Sequence, residues 1–150
     1  MDGKRIMCPI DFSEYSQEAL QCAAKLASDS GATLFIVHVE SASTHYKPGD
    51  PAYVPELDHH RQLLETLPPQ PDRVKYEHHC LRGEPAHEIL RFAILRKIDH
   101  IFVGTHGRTG LAKFLMGSVA ESIVNNASCE VTTVPRPTNS TIKVVDTNDD

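Results

Sequence analysis

The chain predicts an α/β fold: a five-stranded, open parallel sheet with helices on both faces. Three observations carry this. Short apolar runs alternate with amphipathic helical patterns over most of the length. The run from Ala32 to Val39 is nearly continuously apolar, as expected of a strand covered on both sides. The length, 150 residues, suits one ordinary domain that buries roughly two-thirds of the surface its unfolded chain exposes.

The elements follow in order. Arg5–Ile10 is a short apolar strand ended by Asp11, and Ser13 can cap the helix after it. That helix shows an apolar stripe of Ala19, Cys22, Ala23, Leu26 and Ala27, and Gly31 is placed for its C-terminal stop. Ala32–Val39 is the second strand. Residues 41–55 hold three prolines, a glycine and small polar residues, and read as an irregular excursion. Glu56–Leu67 reads as a helix stopped by Pro68 and Pro69, and Val74–Leu81 as a third strand. Pro85 opens the next helix, where its missing N–H costs little, with Ala86, Ile89, Leu90, Ala93 and Ile94 as the buried face. His100–Val103 is the fourth strand, Gly117–Asn126 a helix and Glu130–Val134 the fifth strand. The polar residues 136–150 read as a disordered tail, leaving one domain over 1–135.

In such folds ligands sit beyond the carboxyl ends of the strands, at a switch in strand order. Asp11, Val39 and Gly104 all fall at those ends. After the fourth strand come Gly104, His106 and Gly107, then Gly117 and Ser118 opening a helix. Glycines let backbone amides approach an anion, and a helix N-terminus favours negative charge. The pattern is a candidate phosphate loop, although it is neither a Walker A motif nor a dinucleotide fingerprint.

Composition narrows the classes. A net charge of −5 argues against a nucleic-acid protein with a broad basic surface. No apolar run nears membrane-spanning length, and no secretory leader is expected. The scattered Cys8, Cys22, Cys80 and Cys129 suit reduced thiols in a cytoplasmic protein. His59–His60 adjoin on a helix. His78–His79 adjoin on a strand, where neighbours point to opposite faces. No His/Cys spacing typical of zinc is present, so surface histidine is the preferred reading and no protein-bound metal is expected.

Taken together, Cys8-Pro9-Ile10-Asp11-Phe12-Ser13, His38-Val39, Arg82-Gly83-Glu84-Pro85, the spaced glycines and Val134-Pro135 resemble the universal stress protein family, in its ATP-binding branch, over about Lys4 to Pro135. The resemblance implies a Rossmann-like sheet of the adenine nucleotide alpha hydrolase type and a cytoplasmic stress-response protein that regulates through bound ATP. It implies that Pro9, Ile10 and Asp11 line the adenine and ribose end and that Val39 packs on the base. Val103, Gly104, His106 and Gly107 would form the loop floor, with Gly117, Ser118 and Val119 contacting phosphate. Magnesium would be held chiefly by the phosphates, and a homodimer would form through Val131–Val134. Ala120 departs from the pattern, since ATP-binding members often carry a hydroxyl there. One lost charge-assisted hydrogen bond would weaken affinity by about ten- to a hundredfold.

Other readings stay open beside these. Gly104 and Gly107 can simply turn the chain, Asp11 can serve the following helix, and Ser118 can cap its own. No Gly-x-Ser-x-Gly elbow accompanies Ser118, His106 and Asp11, so no catalytic triad is inferred. The alternatives to ATP-dependent regulation are a dimeric interaction module without nucleotide and a slow nucleotide hydrolase.

Overall fold

In the computed structural model, which describes residues 3–41, 49, 59–106 and 116–135, nine elements alternate strictly between strand and helix. They are β1 (Arg5–Pro9), α1 (Glu14–Ser30), β2 (Thr33–Glu40), α2 (His59–Glu65), β3 (Lys75–Arg82), α3 (Pro85–Leu95), β4 (His100–Gly104), α4 (Ser118–Asn126) and β5 (Glu130–Val134). The strands form one parallel sheet in the order β3-β2-β1-β4-β5. The order reverses between β1 and β4, because β2 and β3 add on one side of β1 while β4 and β5 add on the other.

Residue parity along the strands sorts the core into two layers. Ile6, Cys8, Leu34, Ile36 and Phe102 meet Ala19, Leu20, Ala23, Ala24 and Ala27 of α1 and Leu63 of α2. Met7, Phe35, Val37, Ile101 and Val103 meet Ile89, Phe92 and Ala93 of α3 and Ala120 and Ile123 of α4. Leu34, Ile36 and Ile101 are wholly buried, each burial contributing about 1.5–3 kcal/mol. β3, at the edge, has no fully buried residue, which explains its weak pattern in the sequence.

The expected boundaries agree with the structure to within a residue for the strands. Ser13 caps α1, its Oγ accepting the Ser16 N–H at 3.2 Å. Gly31 ends that helix at φ 74°, donating its N–H to the Ala27 carbonyl at 2.9 Å. Pro85 opens α3, and Glu84 caps it by accepting the His87 N–H at 2.8 Å.

Two buried faces differ from the expectation. In α1 the flank of the alanine row that faces the sheet is Leu20 and Ala24, while Cys22 is half-buried and Leu26 exposed. Both flanks are apolar, so periodicity alone does not choose between them. In α3 the buried set is Ala86, Ile89, Phe92 and Ala93; Leu90 is half-buried and Ile94 is exposed. Phe92 turns this helix, packing edge-on to Phe35 at 6.1 Å and lying under the Arg96 guanidinium at 5.5 Å. The tail at 136–150, residues 56–58 of the expected second helix, and all of the 41–55 excursion except Ser41 and Gly49 lie outside the described residues.

Candidate functional site

The reversal of strand order opens a cavity of about 750 Å³ beyond the carboxyl ends of β1, β2 and β4. Every predicted site residue among the described ones lines it. Pro9, Ile10 and Asp11 come from β1 and its end, Val39 from β2, and Val103, Gly104 and His106 from β4 and its end. Gly117, Ser118 and Val119 come from the start of α4. Gly107 lies outside the described residues. The sequence reading gave no role in this site to His38, Glu40, Ser41, His59, Thr105 or Met116, which also line the cavity.

Hydrogen bonds that continue past the strand ends hold these walls in place. The Ile10 N–H donates to the Val37 carbonyl at 2.7 Å, keeping the chain on β2 until Asp11. The Asp11 carboxylate then accepts the Ser13 N–H at 3.0 Å, so Asp11 does support the start of α1 while lining the cavity. Phe12, between them, sits at φ 67°, a left-handed conformation uncommon for a non-glycine residue. Across the cavity the Thr105 N–H donates to the Val134 carbonyl at 2.9 Å, and the Gly117 N–H to the Thr105 carbonyl at 2.6 Å. This second bond fixes the start of α4 beside the end of β4.

Gly117 is the N-cap of α4 and supplies no side-chain acceptor. Ser118 is therefore the first helical residue rather than the cap, which corrects the capping alternative. The amides of Ser118, Val119 and Ala120 have no helical carbonyl to bind, and they stand where the dipole's positive end meets the cavity. Ala120 is buried with Ile123 while still lining the cavity. Gly104 has a second role: a Cβ there would lie 2.7 Å from Tyr15 Cβ and 2.8 Å from its carbonyl carbon, so only glycine lets β4 pass this close to α1. His106 packs against the Tyr15 ring at 5.1 Å. Beneath the floor, burial pushes the Cys8 thiol well above its ordinary range, leaving it a protonated apolar residue rather than a nucleophile.

The histidines divide sharply. His78 Nε2 meets the Thr66 carbonyl at 2.6 Å and His79 Nε2 meets Glu77 Oε1 at 2.9 Å, on separate partners as their opposite faces require. His38 is an exception to the surface reading, being only 5% exposed. Its Nδ1 lies 2.7 Å from the Ile10 carbonyl oxygen, and its ring stands 4.9 Å from that of His59.

A parallel α/β sheet with a cavity at its switch point, lined by a helix N-terminus that has no side-chain cap, marks the class: an α/β domain whose geometry suits a small anionic ligand. Comparison with known proteins narrows it. The chain belongs to the universal stress protein family, whose model matches residues 3–135. It is 34% identical over 141 residues to universal stress protein MJ0531 of Methanocaldococcus jannaschii, covering 89% of this chain and 83% of that one. Among solved structures, hypothetical protein MJ0577 superposes with a TM-score of 0.74 at 24% identity, over 91% of this chain and 99% of that one. A universal stress protein from Archaeoglobus fulgidus, solved in complex with dAMP, superposes with a TM-score of 0.63 at 22% identity, over 89% and 99% of the two chains.

Proposed function

We propose that this protein is a cytoplasmic, homodimeric regulator of the stress response that binds ATP with magnesium in the switch-point cavity. One observation carries the binding reading: separate pieces of chain converge on a single hollow into which the first amides of α4 point. Its size falls within the range of about 300–1,000 Å³ usual for small-molecule sites. Pro9, Ile10 and Asp11 take the adenine and ribose, Val39 the base, and Val103, Gly104 and His106 the floor. Gly117, Ser118 and Val119 take the phosphates, through backbone amides and the Ser118 hydroxyl, and Gly107 completes the loop. Magnesium is held by the phosphates rather than by a cage of side chains. The dAMP complex of the Archaeoglobus fulgidus relative supports an adenine nucleotide as the ligand class.

Calorimetric titration with Mg-ATP tests this. Wild-type protein should bind, and Ser118→Asp or Gly117→Asp should abolish the signal by setting a carboxylate against the phosphates. An acidic residue at a helix N-terminus stabilises the helix, so Ser118→Asp should remain folded and isolate the loss of binding. Wild-type protein that stays silent at millimolar ATP refutes the reading.

A further inference from the structure

His38, Glu40 and His59 each bring a ligand atom within 4.8 Å of the others, at the edge of the cavity. The placement follows from the fold. Residues 38 and 40 are two apart on β2, so they share a face, the one that α2 covers with His59 as its first described residue. His38 is also prepared as a ligand. A carbonyl oxygen only accepts, so in the neutral ring the 2.7 Å contact to Ile10 puts the proton on Nδ1 and leaves the lone pair on Nε2. Metal-binding histidines are oriented in just this way, by an outer hydrogen bond to a carbonyl or carboxylate. Phe12 packs on both imidazoles, 4.9 Å from His38 and 5.4 Å from His59, and restricts how the rings can turn.

We propose that His38, Glu40 and His59 bind a divalent first-row transition ion, with zinc the best match to the donor set. Two imidazoles and a carboxylate select zinc, cobalt or nickel over magnesium, which prefers oxygen ligands throughout. Bonds of about 2.1 Å place tetrahedral donor atoms about 3.4 Å apart, so modest side-chain rotation closes the site. Three protein ligands leave a fourth position open to the cavity, for water or for a donor atom of whatever the cavity holds. This site differs from the phosphate-held magnesium proposed above and needs no nucleotide.

The test is titration of nucleotide-free wild-type protein with zinc by calorimetry, and with cobalt by absorption. The expected result is one equivalent bound, cobalt showing the visible bands of a tetrahedral site without thiolate charge transfer. His59→Ala and Glu40→Gln should each weaken binding by roughly tenfold or more, His60→Ala should leave it unchanged, and excess magnesium should not compete. Circular dichroism confirms that the variants are folded. Absence of binding, thiolate bands from the cysteines, or affinity that survives both substitutions overturns the proposal. Failure of ATP to bind would leave the zinc result standing, so the two readings fail separately.

Discussion

At the scale of single residues, Gly104 shows how one position can serve a cavity and a core together. Its missing side chain both floors the pocket and admits the backbone of Tyr15. Because the clash involves backbone atoms, Gly104→Ala cannot be relieved by a rotamer change, and it should destabilise the fold by about 1–3 kcal/mol in urea unfolding. Ala120 poses the opposite case, a small residue where a hydroxyl would serve the ligand. Ala120→Ser should tighten Mg-ATP binding by about tenfold, read by calorimetry, if the new hydroxyl reaches phosphate. The glycine spacing and the strand-end aspartate were legible in the sequence because each has a local backbone meaning. The closeness of Tyr15 to Gly104 was not, since it depends on how a helix lies across a strand nearly ninety positions away. His38 escaped for a similar reason: its partner His59 is reached only through a stretch with no periodicity to follow.

At the scale of elements, the start and stop signals proved more readable than the buried faces. Ser13, Gly31 and Pro85 act through their own hydrogen bonds and dihedrals, which neighbouring residues encode. Ser13→Ala should therefore cost about 1 kcal/mol in thermal or urea unfolding by stripping the cap of α1. The sides of α1 and α3 that meet the sheet are set by Leu20 and Phe92 against distant strands, so helical periodicity left two choices open. β3 and the end of α3 are tied by Glu77, whose carboxylate accepts from His79 at 2.9 Å and from Arg96 at 3.3 Å. The His79 hydrogen bond and the Arg96 charge hold Glu77 below its ordinary value of 4.5. A depressed native value means that the stabilisation is complete above about pH 4.5 and fades as pH falls through the lower native value. Glu77→Gln should thus cost less than about 1 kcal/mol at neutral pH, the pair being partly exposed and screened by solvent, and nothing in strong acid, as pH-dependent denaturation would show.

At the scale of the molecule, alternating apolar runs identified a parallel sheet because only crossover connections bring such strands together. Strand order could not be read from them, and it is the order that opens the cavity. β5 closes one end of that order, and among the described residues its only strand partner is β4. If the proposed dimer forms through this edge, Val131→Lys should shift the protein toward monomer in analytical ultracentrifugation, because a lysine on an edge strand discourages pairing; Val131 also packs against the core, so circular dichroism must show the variant folded. The cavity walls come from residues 9–11, 16, 37–41, 59, 85, 89, 103–106 and 116–121, on both sides of the turn at Gly83. A polypeptide cut at that turn would yield two fragments, each carrying only part of the pocket. Any molecule that fits the whole hollow should therefore act as a fastener, drawing the severed halves into one complementing pair.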